Sequence, residues 1–289
     1  MNRIQLMEHL KNKDIQSEIV RDPKLKGELL EAMLQFIGDP DPVLRDELIC
    51  EAFYEWVNDR DVLGHETLMR LLDVLQDEEH LFKGIGQSGT DSVYTRTFSV
   101  LIIGQVLVRH SVEPFLSNEK IASVFDRILE YYISERDYRG FTSPQGWAHA
   151  AAHGADAFDA IVQCPECDEM KLAAILEAFT KMLNNGAWVF QDEEDERMAR
   201  PVYRAILSGK LSLAKFTSWL ELLSDNNAGV ADMMAYRDRI NSKHFVRSLY
   251  FKVLTLGGPK ELIEVLTTAE SNLNRYGRID QAIVKTYKE

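Results

Sequence analysis

The segment Gly146–Asp156, with the sequence GWAHAAAHGAD, holds the densest set of side chains that can do chemistry. If the segment is a single helix, His149, His153 and Asp156 fall within one narrow arc, because residues three, four and seven apart share a helix face. Two histidines at this spacing can direct both imidazoles at one divalent ion, with Asp156 as a third ligand or as the group that orients His153. Three such ligands leave a position open for water, which is the arrangement of hydrolytic metal sites.

The residues just before this segment offer further carboxylates. Asp137 or Glu135, at the end of the preceding predicted helix, can complete the ligand set. The three residues between the histidines are all alanine, so the glutamate of a His-Glu-x-x-His metalloprotease motif is absent. The spacing is therefore a weak metal signal. The sequence predicts no resident cofactor, and a divalent metal at the two histidines and Asp156 is the exception considered.

A zinc site is a variant of the metal hypothesis. Cys164 and Cys167, spaced as Cys-x-x-Cys, can chelate zinc together with the two histidines. Cys164 lies eleven positions after His153, and most of the chain between them is predicted helix, which separates the thiols from the imidazoles by well over roughly 10 Å. The carboxylate set is therefore favoured, and the thiols themselves are expected in a surface loop.

A structural interpretation accounts for the same residues. Arg96 lies in a strongly apolar predicted helix, Val93–Val108, and its charge is costly there unless it meets an acid or a ligand. Asp137, Arg139 and Asp156 can pair with it, with the histidines bridging, in an internal polar network. Buried polar groups must be paired, so such a network fixes how helices pack even when it has no activity.

A third interpretation is a binding groove. Arg96, Arg139 and the histidines can hold a small anionic molecule or a peptide, with Ala152 and Ala160 lining the groove. Trp147 falls on the opposite, apolar arc and is predicted to be core. No nucleophile elbow and no phosphate-binding lysine motif is present, so nucleophilic catalysis is not indicated. Whether the chain is an enzyme stays open at this point.

The elements that must position these residues are helical. Apolar residues recur with helical periodicity from end to end, and no segment shows sustained strand-like alternation. Asp22-Pro23 predicts one helix start, and Ser117 predicts another for a helix that reaches about Tyr138. Gly84–Gly89, GIGQSG, spells a dinucleotide-binding fingerprint but follows a predicted helix rather than a strand, so we expect a loop. Gln191–Glu196, QDEEDE, is expected to be a solvated helix start.

One turn suggests how the helices are arranged. Asp39–Glu47, DPDPVLRDE, resembles the connector of HEAT repeats, in which proline stops one helix, Asp39 or Asp41 caps the next, and Arg45 answers an acid of the neighbouring repeat. The fold class predicted is all-α, a curved stack of antiparallel helix pairs. No linker divides the chain, so we expect a single helical-repeat domain over residues 1–289.

The amino-acid composition limits the classes of partner that the chain is expected to bind. The chain has 33 basic and 46 acidic side chains, a net charge of −13, and such a surface disfavours nucleic acid. No apolar run approaches the roughly 20 residues of a membrane span, the N-terminal stretch has no apolar signal region, and the three cysteines form no disulfide framework. The expectation is a cytoplasmic protein whose partner is a protein, a peptide or a small anionic ligand.

Three motifs together resemble a known family: TDSVYTRTFS (90–99), ERDYRGF (135–141) and GWAHAAAHGAD (146–156). They are similar to a bacterial family called domain of unknown function 2785. The resemblance implies a helical, HEAT-like fold and no particular activity. It marks these positions: Asp91, Arg96, Asp137, Arg139, Gly146, Trp147, His149, His153 and Asp156.

Two functions follow from this reading of the sequence. The leading one is a binding or interaction module that uses a polar concave groove around His149 and His153. The alternative is a metal-assisted hydrolase in which the two histidines hold the ion, Asp156 or Asp137 assists, and Arg139 steadies an anionic substrate.

Overall fold

The computed structural model describes residues 1–229, 231–277, 280, 283 and 284. The described chain is mostly helical, as predicted, and divides into two compact units, Met1–Cys167 and Asp168–Glu289. The all-α prediction is confirmed. The HEAT-like stack and the single domain over 1–289 stay predictions, and the last residues of that range lie outside the described part.

Unit 1 contains eight α-helices, one π-helix and one short strand pair among its described residues. The π-helix covers Val43–Cys50, and strands β1 (Phe141–Thr142) and β2 (Gly146–Trp147) pair antiparallel. The α-helices are α1 (Arg3–Leu10), α2 (Ile15–Arg21), α3 (Pro23–Gln35), α4 (Glu51–Asn58), α5 (His65–Leu75), α6 (Ser92–Val112), α7 (Asn118–Ser134) and α8 (Ala150–Gln163).

The described residues of unit 2 form five helices: α9 (Glu169–Leu183), α10 (Glu194–Leu207), α11 (Leu213–Asn227), α12 (Met233–Leu256) and α13 (Lys260–Leu273). Residues 191–196 lead into the start of α10, as predicted, but their acids are not all solvated. Glu194 is 1% exposed, Asp195 accepts a hydrogen bond from Ser248, and Glu196 pairs with Lys252 of α12. Asp195 and Glu196 are thus held by side chains of α12.

Local capping explains the helix starts that were predicted correctly. Asp22 accepts hydrogen bonds from the amides of Lys24 (3.0 Å) and Leu25 (3.1 Å) and starts α3. Ser117 accepts from the amide of Lys120 and starts α7. The end of α7 was predicted near Tyr138 but falls at Ser134, and the backbone becomes extended at the next residue.

The packing of α6 against α8 forms the centre of unit 1. A Cβ on Gly104 of α6 would lie 3.3 Å from Cα of Ala157, so the two backbones approach closely. On α8, Ala152 and Ala160 are 0% and 1% exposed. The prediction that these alanines line an open groove is wrong, because they are packed in the interior.

The segment Gly146–Asp156 is not one helix, which corrects the prediction. Gly146 and Trp147 form strand β2, and α8 begins only at Ala150. His149 is the N-cap of α8 in the left-handed region, with φ 54° and ψ 35°. Gly146, with φ 78°, also needs a conformation that glycine adopts easily, so the chain cannot be helical there.

The side chains of the HEAT-like turn make contacts that differ from the predicted pattern. Asp39 and Asp41 both pair with Arg3 of α1, at 3.0 Å and 2.6 Å. Arg45 is fully buried and donates to the backbone carbonyls of Asp39 and Gln145 rather than to an acidic side chain.

No helix in the described residues is both long and apolar enough to cross a membrane.

Candidate functional site

A buried ion pair joins α6 to the end of α7. Arg96 donates through Nε and Nη2 to the two carboxylate oxygens of Glu135, at 2.8 Å and 2.9 Å, and both side chains are fully buried. Two parallel bonds between a guanidinium and a carboxylate are the strongest arrangement of this pair. Glu135 leaves the helical conformation at the end of α7, which lets its carboxylate face Arg96.

The glycine-rich loop 84–89 wraps around the same guanidinium. Arg96 donates to the backbone carbonyls of Lys83 (2.8 Å), Gly84 (3.2 Å) and Gln87 (3.3 Å). A phosphate-binding loop needs its amide N–H groups to converge on the ligand, whereas here carbonyl oxygens converge on a cation. Residues 84–89 form a loop, as predicted.

A second ion pair continues the network toward the surface. Arg139 donates to the carboxylate of Asp137 through Nε (2.8 Å) and Nη2 (2.6 Å), and to the carbonyl of Thr90 (3.0 Å). Asp137, which is 1% exposed, also accepts from the amide of Gly89. The hydrogen bonds to Asp137 raise the pKa of the Arg139 guanidinium above its usual value. The network therefore ties the loop 84–89 to the segment that enters β1.

The β1–β2 hairpin carries two aromatic side chains at its surface. Phe141 and Trp147 are cross-strand partners, with ring centroids 5.0 Å apart and an interplanar angle of 79°. Phe141 is 57% exposed and Trp147 is half-buried. We call this pair the aromatic corner. Trp147 was predicted as core, and its partial exposure corrects that prediction.

The hairpin is held from below at two further points. Tyr94 Oη and Thr142 Oγ1 lie 2.8 Å apart, and Arg45 donates to the carbonyl of Gln145. The Arg45 guanidinium carbon lies 4.3 Å from the centroid of the Tyr94 ring and 4.9 Å from that of Phe98. Burial lowers the pKa of Arg45. These contacts fix the hairpin relative to α6.

The two histidines lie beneath the aromatic corner. The His149 ring stacks on Trp147, with centroids 4.6 Å apart at 18°, and its centroid is 5.6 Å from that of His153. They are 6% and 5% exposed. The amide of His149 donates to the carbonyl of Arg139 (2.9 Å), so the bend into α8 continues the hairpin ladder. Asp156, also on α8, is half-buried, and Asp91 is exposed at the start of α6.

The structure assembles a different set of metal-ligating side chains from the one predicted. Among the described residues, the one set of three whose ligand atoms all lie within 4.8 Å of one another is His110, Cys164 and Glu166. The predicted trio on α8 is not gathered in this way, and its role as a metal site stays a prediction. Cys164 and Cys167 are 0% and 6% exposed, so the expectation of surface thiols is wrong.

The hydrogen bonds of His110 disfavour metal binding at this set. Its Nδ1 accepts from the amides of Phe115 (3.0 Å) and Leu116 (3.1 Å), so Nδ1 carries the lone pair and Nε2 carries the proton. That proton faces Glu166, at 3.3 Å, and a metal has no lone pair to bind there. Cys164 donates to the carbonyls of Ala160 and Leu107, as a neutral thiol does. The cluster ties the α6–α7 turn to the end of α8.

A family model described as "Protein of unknown function (DUF2785)" matches residues 81–251, more than half of the 289-residue chain. The chain belongs to this family. The DUF2785 region contains the three sequence motifs, the buried ion pairs and the hairpin with its aromatic corner. No curated protein and no solved structure is significantly similar to the chain.

The sequence pointed to part of this arrangement. The structure joins Asp137 and Arg139 in an ion pair, which fits the network interpretation, but it pairs Arg96 with Glu135, which that interpretation did not include. The contributions of Arg45 and Phe141 were not anticipated as part of the site. The signal that was available is the short separation of Pro144 and Gly146, two residues that interrupt a helix, just before the histidines.

Proposed function

We propose that the protein is a binding module whose recognition surface is the aromatic corner of the β1–β2 hairpin. The observation that carries this proposal is the combination of exposure and restraint at Phe141. Its ring is 57% exposed, yet it stands at 5.0 Å from a tryptophan that is itself stacked on a buried histidine. Exposed aromatic rings on a loop that a rigid scaffold holds in place are typical of recognition sites.

The restraint beneath the hairpin supports this role. Buried ion pairs fix the segment that enters β1, Tyr94 holds Thr142, and Arg45 holds the turn at Gln145. Burying charges of this kind costs desolvation free energy, and apolar side chains of similar volume often stabilise a fold equally well. Their use here is consistent with pre-organisation of a surface, which reduces the entropy lost when a partner binds.

The partner that fits this surface is a peptide segment. An apolar or aromatic side chain can pack against Phe141 and the exposed part of Trp147. Arg136 is exposed and Arg139 is 27% exposed on the segment that leads into the hairpin, so a carboxylate beside the apolar side chain complements the surface. Nucleic acid is disfavoured by the net charge of −13.

Selection of a displayed random-peptide library on the full chain tests this proposal. We expect selected peptides to bind Phe141→Ala at least about tenfold more weakly than the native chain, a loss of about 1.4 kcal/mol. Phe251→Ala is the matched control, because Phe251 is the same residue type with the same 57% exposure. Equal affinity of all three proteins, or an equal loss in both variants, contradicts the proposal.

The metal-assisted hydrolase is a second candidate with one observation in its favour. His153 Nδ1 lies 3.3 Å from the carbonyl of Thr97, which can only accept, so the lone pair of the neutral ring is on Nε2. That tautomer suits a metal ligand or a general base. We rank this candidate second because both histidines are buried and the His149 ring is stacked on Trp147.

A further inference from the structure

A cluster of basic side chains forms in unit 1 without using any residue of the hairpin. Arg60, His65 and Arg109 converge on a single oxygen, Oε2 of Glu113. The distances to this oxygen are 3.1 Å from Arg60 Nε, 3.5 Å from His65 Nε2 and 2.8 Å from Arg109 Nη2. Glu113 is the C-cap residue of α6, in the turn that leads to α7. Arg109 donates a hydrogen bond to this oxygen, and Arg60 and His65 lie within ion-pair distance of it.

The charges in this cluster do not balance. One carboxylate faces two guanidinium groups, so one positive charge is in excess, although the whole chain carries −13. The neighbouring acid on α5, Glu66, is 82% exposed and pairs with Arg70 at 3.5 Å instead. A ligand with two negative charges would match both guanidinium groups, which the single charge of Glu113 does not.

Hydrogen-bond donors in the cluster are also left over. Arg109 is 8% exposed, and within the described structure its buried Nε has no hydrogen-bond partner. A buried donor without a partner costs free energy, and an acceptor within its reach would remove that cost. Arg60 is 66% exposed at the side chain, which leaves the rest of its guanidinium open to solvent.

The start of α5 adds a favourable field. His65 is the first residue of this 11-residue helix, and the N-cap is Gly64, which offers no side chain to cap the first amides. The N-terminus of a helix attracts anions through its unpaired N–H groups and its dipole. The His65 ring is held parallel to that of Phe115, with centroids 4.6 Å apart at 8°, so the orientation of the imidazole is fixed.

We propose that Arg60, His65 and Arg109 form a binding site for a phosphate-class dianion, and that Glu113 occupies this site in the unliganded protein. The Glu113 side chain, 29% exposed, turns outward when the dianion binds. The two guanidinium groups then each donate to phosphate oxygens, and Arg109 Nε gains the acceptor that it lacks. Glu113 thus acts as an internal competitor that sets the affinity of the site.

A calorimetric titration of the full chain with inorganic phosphate, at constant ionic strength, tests this inference. We expect Glu113→Gln to bind phosphate at least about tenfold more tightly than the native chain, because the competing charge is gone. Arg60→Gln in the same background should reverse this gain. Arg70→Gln is the matched control, since its side chain is 68% exposed against 66% for Arg60.

Two results of the phosphate titration would overturn the proposal. One is phosphate affinity that is no higher in Glu113→Gln than in the native chain, with the variant folded by circular dichroism. The other is an equal loss in Arg60→Gln and Arg70→Gln, which would indicate non-specific attraction. An acetate titration is the second arm of the experiment, and acetate binding as tight as phosphate binding contradicts a dianion site. If Glu113→Gln does not fold, the comparison of Arg60→Gln with Arg70→Gln in the native background decides.

Discussion

Arg96 and Glu135 are 39 residues apart in sequence, yet their charged groups meet in two hydrogen bonds at a point where both side chains are fully buried. The guanidinium also donates to the backbone carbonyls of Lys83, Gly84 and Gln87, and to Ser92 Oγ at 2.9 Å. One side chain thereby fixes a helix, a loop and the segment that enters the hairpin. Neither residue belongs to the aromatic corner, but Glu135 begins the segment that enters the hairpin.

Replacing one partner of this pair should be severely destabilising. In Glu135→Gln the Arg96 charge stays buried without its counter-charge, and we expect a loss of about 3–5 kcal/mol in the free energy of unfolding measured in urea. The control is Glu66→Gln, which removes one side of the exposed Arg70–Glu66 pair and should cost less than about 1 kcal/mol. Similar losses in both variants would show that the buried pair has no special role.

Glycine substitutions test the close packing at α8. A Cβ on Gly154 would lie 2.3 Å from Cδ2 of Tyr132, which must move, so Gly154→Ala should destabilise by about 1–3 kcal/mol. Gly27→Ala in α3 is the control, because nothing lies within 4 Å of its Cβ position and alanine is the better helix former. That variant should be as stable as the native chain or up to about 1 kcal/mol more stable. Thermal melting of both variants checks the direction of each stability change. A stabilising Gly154→Ala would refute the close packing of Gly154 against Tyr132.

The buried acid at the start of α10 predicts a pH dependence. Burial raises the pKa of Glu194 above its usual value. A group with a raised pKa in the folded state favours folding below its unfolded pKa of about 4.3, and this contribution is lost as pH rises through the folded pKa. Glu194→Gln should therefore gain stability relative to the native chain from about pH 4 to pH 7. Urea unfolding at several pH values measures this difference. Glu193→Gln, at the exposed neighbouring position, should show no such trend, and a parallel trend in both variants would contradict the assignment to burial.

The tautomer of His110 predicts the response to zinc. Because Nδ1 accepts from two backbone amides, we expect zinc to leave the melting temperature of the native chain unchanged, and a chelator to do the same. His110→Ala should destabilise by about 1–3 kcal/mol for each amide left without an acceptor. Zinc that copurifies in a one-to-one ratio and is lost in His110→Ala would overturn this reading. Zinc lost only in His149→Ala and His153→Ala would instead favour the hydrolase candidate.

Some of this structure follows from local sequence. The starts of α3 and α7 were predictable because Asp22 and Ser117 cap amides two or three residues away. Arg96 in an apolar helix required a buried acid, which was predictable, but its partner is Glu135 rather than the predicted Asp137 or Asp156. These inferences need only the residues nearby in sequence and the free-energy cost of burying a charge.

Other features depend on residues far away in sequence. Helix α7 ends at Ser134, and Glu135, which follows it in extended conformation, pairs with Arg96. Arg96 lies 39 positions earlier in the sequence. The left-handed conformation of His149 is supported by the carbonyl of Arg139, across the hairpin. A helical wheel assumes that the helix continues, so it placed His149 and Trp147 on opposite faces. In the structure their rings stack on each other.

The central claim is that the aromatic corner recognises a peptide, and nuclear magnetic resonance mapping with a selected peptide tests it most directly. We predict that the largest shift changes on titration occur at the amides of residues 139–149 and at the indole N–H of Trp147. The same titration on Phe141→Ala should show small changes at the same positions. Shift changes centred elsewhere in the described chain, with the hairpin signals unmoved, would contradict the account.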